Sequence, residues 1–269
     1  MIKASVILAF YNRIDYLKLV LAGFEQQTFK NFEIIIADDG SPTQVIKEVE
    51  SISRFSSFPV THIWQEDIGF RKNKILNKAI MSAKSDYLIF IDADCIPHSE
   101  FVSEHFNNRK PKTCLTGRRV NLSERITRYI TPGRIMEGFP ERKLLMLVED
   151  GIFGKSYDVE KAFYFRNQIL RNFINKKKRG ILGCNFSIYK EDFLKINGFD
   201  ERYEAPSIGE DSDVEFRLKL SGVEVKSLNN IAIQYHLFHK LQNRPQENLV
   251  LFEEVKKTGE YFTRFGIHR

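Results

Sequence analysis

No stretch of this sequence approaches the roughly 18 consecutive apolar residues that a membrane-crossing helix needs. Its first residues run into strand-like sequence, without the basic, apolar and small-residue order of a signal peptide. A cytoplasmic chain is the expectation. Cysteine is scarce: Cys95, Cys114 and Cys184 are odd in number and lack C-x-x-C spacing, so neither a disulfide framework nor structural zinc is expected. Three free, buried thiols are the plain reading. There is one tryptophan, no internal repeat and no low-complexity segment. The glycine-rich loop of dinucleotide folds and the Walker phosphate loop are also missing. Any phosphate must be held differently, and a metal ion is the natural candidate.

What is present suffices for a core. At 269 residues and 42% hydrophobic content, the chain can build one large α/β domain or two small ones. A net charge of +6 admits nucleic acid, an anionic membrane surface or phosphate-bearing substrates, and does not choose among them. The densest basic run, Lys176 to Arg179, is not part of a repeated basic and aromatic pattern that tracks single strands. Such runs are usually solvated loops, with contact to anionic lipid or a charged acceptor as the alternative.

The first part alternates strand and helix signals as a parallel sheet does. Strands are expected at Ser5 to Phe10, Phe32 to Ala37, Val60 to Trp64 and Tyr87 to Ile91. Between them, Leu17, Val20, Leu21 and Phe24 recur at helical spacing, as do Val45, Ile46, Val49 and Ile52, and Ile75, Leu76, Ala79, Ile80 and Ala83. Trp64 and most of the 23 phenylalanines are expected in the core. Tyr11-Asn12, Asp38-Asp39 and Asp92-Ala93-Asp94 each follow a strand, which puts all three clusters on the carboxyl edge of the sheet, where open α/β sheets bind ligands. From Asn121 to Arg179 the pattern loosens into helical stretches such as Arg142 to Val148 and Val159 to Phe173. Asn197-Gly198-Phe199-Asp200 then signals a turn. A helix carrying Val214, Phe216, Leu218 and Leu220 follows the acidic stretch Glu210 to Asp213, where a helix N-terminus favours negative charge.

Asp92 and Asp94 stand two apart after a fully apolar strand. In an extended chain their carboxylates point the same way, so both can face one ligand. Two buried like charges need a compensating cation, and a divalent metal bridging a diphosphate supplies one. His236 and His239, among aromatic residues, add imidazoles suited to a manganese-class ion beside carboxylate oxygens.

These pieces together resemble a known family. Ser5 to Asn12, Asp38 to Ser41, Gly69 to Arg71 with Asn77, and Asp92 to Asp94 are similar to family 2 glycosyltransferases with the GT-A fold. Gly183 to Lys190, Asn197 to Asp200 and Gly209 to Asp213 resemble the galactosyltransferase-type C-terminal region of chondroitin-polymerase domains and β-1,4-galactosyltransferases. Proline and threonine after the first strand, frequent in that family, are replaced here by Ala9 and Phe10.

The resemblance implies a mostly parallel central sheet flanked by helices. It places Tyr11 against uracil, Asp39 on the base, Asp92 on the ribose, Arg71 and Asn77 at the nucleotide end, Asn185 at the donor sugar, and Asp94 on the metal. Glu210-Asp211 then supplies the base, with Asp211 preferred, and His239 is favoured over His236 as the ligand. A carboxylate of pKa about 4 suffices, because the acceptor hydroxyl becomes acidic only as it bonds to an oxocarbenium-like carbon. One base and no covalent nucleophile means inversion.

The expected protein is an inverting transferase of a hexose or N-acetylhexosamine from a UDP-sugar to a carbohydrate or lipid-linked saccharide, with Mn2+ or Mg2+. Its setting is bacterial surface polysaccharide or lipopolysaccharide synthesis, with peripheral contact at the inner face of the membrane and no nucleic acid partner. Residues 1–120 form the nucleotide-sugar-binding half and residues 121–269 the acceptor-binding and catalytic half of one domain. A sugar nucleotidyltransferase is the alternative enzyme, but Ala9 to Arg13 lacks its glycine-rich, arginine-bearing loop. A basic nucleic-acid-binding module is the alternative of another class, and it predicts steeply salt-dependent binding.

Overall fold

Strands that are largely apolar must be covered on both faces, and three such segments form the middle of this molecule. The computed structural model describes residues 1–206, 209–240 and 246–268. It opens with β1 (Ala4–Phe10), α1 (Ile14–Glu25), β2 (Phe32–Asp38), α2 (Thr43–Ser53), β3 (Val60–Trp64), α3 (Lys72–Ser82) and β4 (Tyr87–Asp92). β1, β2 and β4 are buried almost throughout. Side chains alternate between two apolar clusters, with Val6 and Leu8 facing one and Ile7 the other.

The chain continues through β5 (Cys95–Pro97), α4 (Phe101–Asn107), β6 (Thr113–Thr116), β7 (Arg118–Asn121), α5 (Glu124–Tyr129), α6 (Pro132–Met136), α7 (Leu144–Phe153) and α8 (Gln168–Ile174). It then forms β8 (Asn185–Tyr189), α9 (Lys190–Lys195), α10 (Glu210–Leu220), β9 (Glu224–Ser227), β10 (Ile233–His236) and α11 (Glu247–Thr258). Seven strands make the main sheet, in the order β3-β2-β1-β4-β8-β6-β9, and β5-β10-β7 form a second sheet of three. Only β8 runs against its neighbours in the main sheet. Phe90 of β4 and Phe186 of β8 face each other in register and stack with centroids 4.3 Å apart.

Residues after 121 thus complete the sheet begun before it. The helical stretch expected from Val159 to Phe173 is broken: a 3-10 turn at Val159–Ala162 and an extended link precede α8. Among the described residues, no helix is long and apolar enough to cross a membrane. The three cysteines are buried and free, as expected.

Two core expectations fail. Trp64 ends the edge strand β3, is 45% exposed, and donates from Nε1 to the Ser41 carbonyl at 2.9 Å. Only ten of the 23 phenylalanines are fully buried; Phe55, Phe153 and Phe173 are each at least 70% exposed. An edge strand and short surface helices leave side chains without a second layer to cover them.

The Asn-Gly-Phe-Asp turn is a structural hub. Asn197 and Gly198 both adopt positive φ, 64° and 73°, which these residue types tolerate. Asn77 of α3 clasps the turn: its Oδ1 accepts from the Phe199 amide and its Nδ2 donates to the Phe199 carbonyl, both at 2.9 Å. Arg217 of α10, paired with Asp213, donates to the carbonyls of Ile196 and Gly198 at 2.8 and 2.9 Å. These bonds fix α10, and hence the acidic residues at its start, against α3.

Candidate active site

Parallel pairing carries the three expected clusters to one edge. Phe10 is level with Asp38 and Ala9 with Asp92, so the residues after β1, β2 and β4 emerge side by side. At the β1 and β2 positions, Tyr11 donates to Asp67 Oδ2 at 3.0 Å and is 48% exposed. Asp39 accepts from Gln65 Nε2 at 2.7 Å and from the Arg71 amide at 2.8 Å. Burial pushes the Asp39 carboxyl above its ordinary range. The Arg71 guanidinium donates to the Glu66 carbonyl, and its Nε is buried without a partner among the described residues.

Asp92 and Asp94 do not share one direction. β4 ends at Asp92, and Ala93 and Asp94 form a turn before β5, so the two-residue repeat of a strand does not apply. Asp92 Oδ1 lies 2.9 Å from Lys72 Nζ. Asp94 Oδ2 lies 3.2 Å from His239 Nε2 and 3.4 Å from His236 Nε2.

The small sheet delivers the histidines. β10 runs antiparallel to β5 and sets His236 opposite Cys95, the residue after Asp94. The Leu237 amide donates to the Asp94 carbonyl at 2.8 Å, and the Phe238 amide to Thr127 Oγ1 at 2.9 Å. His239 Nδ1 is 2.9 Å from the Lys240 carbonyl. A carbonyl can only accept, so Nδ1 carries a proton; the hydrogen bond to Asp94 raises the pKa of the ring, and once the ring is neutral it presents the Nε2 lone pair. The two Nε2 atoms are 3.2 Å apart, and the three donor atoms all fall within 4.8 Å of one another. One carboxylate oxygen and two imidazole nitrogens converging on a point fit a divalent cation of the manganese class. Hydrogen bonds from both imidazoles hold the Asp94 carboxyl well below its ordinary range despite burial.

The acidic pair lies at the start of α10, whose first turn holds Glu210, Asp211 and Asp213. Asp211 Oδ2 accepts from the Gly183 amide at 2.8 Å. A Cβ on Gly183 would come within 2.1 Å of Asp211 Oδ1, so only glycine permits this approach. Burial and the adjacent Glu210 push the Asp211 carboxyl up to about 7, against the pull of Lys72. Glu210 Oε2 is buried with no hydrogen-bond partner among the described residues. Asp213 belongs instead to the buried pair with Arg217.

Two residues expected at the ligand are spent elsewhere. Asn77 holds the turn described above and is 3% exposed. Asn185 is fully buried, accepts from His105 Nε2 at 3.0 Å, and donates to the carbonyls of Arg118 and Ala232 at 3.1 and 3.0 Å. It fastens β7 and the approach to β10 onto the main sheet, because one carboxamide can bond two backbones at once. His105 is kept neutral by burial, pushed down to about 4, and its Nδ1 meets Ser187 Oγ at 2.7 Å.

Lys72 and Arg119 join the site without belonging to any of its sequence motifs. Lys72 is the first residue of α3, where a cation opposes the helix dipole, and that misfit is the signal that a carboxylate partner exists. Burial works against its charge, but Asp92, Glu210 and Asp211 raise its pKa. Arg119 of β7 is likewise penalised by burial, yet Cys184, Cys95, Asp94 and Asp92 raise its pKa. Two cations thus face the acidic edge.

A mostly parallel sheet with acidic residues at its carboxyl edge and a second sheet bringing histidines to the same edge define a GT-A glycosyltransferase. The chain belongs to glycosyl transferase family 2, whose sequence model matches residues 5–194. A second family model, described as the N-terminal domain of galactosyltransferase, matches residues 168–240.

Chondroitin synthase of Escherichia coli is 24% identical over 245 residues, covering 86% of this chain and 34% of that protein. Hyaluronan synthase of Pasteurella multocida is 26% identical over 247 residues, covering 86% of this chain and 24% of its own length. The chain therefore spans about a third or less of these relatives. Among solved structures, S. aureus TarS 1-349 in complex with UDP-GlcNAc superposes with a TM-score of 0.59 at 18% identity, over 96% of this chain and 65% of that one. GalNAc-T7 with UDP, GalNAc and Mn2+ gives a TM-score of 0.64 at 13% identity, over 94% and 48%. These likenesses establish the shared fold.

Proposed function

We propose that this chain is an inverting, metal-dependent transferase that moves a hexose or N-acetylhexosamine from a UDP-sugar to a carbohydrate acceptor. The observation that carries the reading is the convergence of Asp94, His236 and His239 on one point, at the same sheet edge as Asp92 and the start of α10. The donor class is supported by the UDP and UDP-sugar named in the two structural relatives, and the polysaccharide setting by the two synthases. In this reading residues before 121 hold the nucleotide, while α10 and the histidines at the end of β10 complete the catalytic half.

Asp94, His236 and His239 would hold Mn2+ or Mg2+, which neutralises charge growing on the departing diphosphate. The Tyr11 ring offers a stacking face to uracil, and each Asp39 oxygen keeps a second lone pair for the base. Arg71 closes the same end, and Asp92 serves the ribose. Asp211 is anchored through Oδ2, while Oδ1 has no hydrogen bond among the described residues. That oxygen takes the proton of the acceptor hydroxyl as the hydroxyl oxygen bonds to the anomeric carbon. The bond from that carbon to the UDP oxygen breaks, and its electron pair leaves with UDP. A carboxyl raised to about 7 is a better base than an ordinary aspartate once ionised. The unpartnered Glu210 oxygen can accept a second acceptor hydroxyl.

UDP titrated into the protein with and without Mn2+ tests the metal and nucleotide together. Binding that ignores Mn2+ sinks the metal assignment, and a product with retained anomeric configuration sinks the single-base mechanism.

A further inference from the structure

The thirty residues from Lys161 to Lys190 contain eight lysines and arginines and no aspartate or glutamate. Three of these cations are engaged within the protein: Lys161 with Asp158, Arg171 with Glu104, and Lys190 with the Ala83 carbonyl. Arg166, Lys176, Lys177, Lys178 and Arg179 have no carboxylate partner among the described residues. Within this stretch α8 leaves large apolar side chains uncovered. Arg171 and Asn175, four apart, face inward: Arg171 bonds Glu104, and Asn175 exchanges hydrogen bonds with the backbone of Asn229. Ile169, Leu170 and Phe173 lie on the other side, 77%, 45% and 70% exposed. Lys176 Nζ sits 6.0 Å from the Phe173 ring, so the cations border the apolar face.

We propose that α8 and residues 175–179 form an interfacial docking surface for an anionic lipid bilayer. Its occupant must be apolar and negatively charged at once. Acyl chains under anionic headgroups meet both demands, whereas the same face of a second copy would bring two cation clusters together. The surface is tied to the catalytic edge. Asn229 precedes the strand that carries His236, and the basic run leads within four residues to Gly183, whose amide holds Asp211. Docking there would present the site to a saccharide carried on lipid, a consequence that rests on the transferase reading.

Flotation with phosphatidylcholine vesicles, with and without phosphatidylglycerol, tests the surface without sugar nucleotide, so its outcome is independent of catalysis. Wild type should bind the anionic vesicles and lose affinity as salt rises from about 0.1 to about 0.5 M. Replacing Lys176, Lys177 and Lys178 together by Ser should weaken that binding by roughly tenfold to a hundredfold. The double variant Ile169→Ser, Phe173→Ser should weaken it at least about tenfold with unchanged melting, since both side chains are exposed. Wild type that stays off anionic vesicles at low salt, or variants that bind like wild type, overturns the proposal. So does a concentration-dependent dimer abolished by Phe173→Ser, which would assign the face to a second copy. RNA binding lost in the lysine variant but not in the apolar one would assign it to nucleic acid.

Discussion

His236 stands opposite Cys95 in an antiparallel register, and that pairing brings its Nε2 to 3.4 Å from the Asp94 carboxylate, 142 positions away in the chain. Asp94→Ala removes the one anionic donor of the cluster, and His239→Ala one neutral donor. Mn2+-supported UDP binding should fall to background in the first and by roughly tenfold to a hundredfold in the second, with excess Mn2+ partly restoring the latter. Calorimetric titration of Mn2+ and UDP checks this, and unchanged affinity in His236→Ala and His239→Ala would leave Asp94 alone.

Asp211→Asn should retain UDP binding and lose transfer by about 10²- to 10⁴-fold. In wild type the rate should rise with pH through about 7 as Asp211 ionises. Stability runs the other way. The folded carboxyl holds its proton up to about 7 while the unfolded one releases it near 3.8, so this group's contribution falls as pH rises across that window. Asp211→Asn should therefore melt no lower than wild type at pH above about 7. Scanning calorimetry and a pH-rate profile test both halves, and a variant with near-normal turnover moves the base to Glu210.

Lys72→Met removes the cation that opposes Glu210 and Asp92 around Asp211. The acid limb of the rate profile should move to higher pH, lowering turnover at neutral pH by roughly tenfold and recovering it in alkali. A uniform loss at all pH values would show that Lys72 acts only in packing or binding.

Asn77→Ala leaves the Phe199 amide and carbonyl buried without their partner. A loss of about 2 to 4 kcal/mol in denaturant stability is expected, with UDP affinity of the folded protein within about threefold of wild type. Weakened UDP binding at unchanged stability would return Asn77 to the nucleotide site.

The sheet and its edge are legible in local pattern. Apolar runs such as Tyr87 to Ile91 can only be buried strands, and alternation with helices makes them parallel, which puts Tyr11, Asp39 and Asp92 at one end. The acidic start of α10 and the turn at Asn197 were also legible, because local backbone preferences write them directly. Long-range packing set what depends on distant partners. It bent Ala93 and Asp94 into a turn, so that Asp92 meets Lys72 and Asp94 meets the histidines. It turned Asn77 and Asn185 inward, where their carboxamides satisfy backbone groups that burial strips of water. It also docked α8 through Arg171 and Asn175 and left Ile169 and Phe173 exposed, which spacing alone cannot show, since period 3.6 reveals that a helix has two faces but not which one finds a partner.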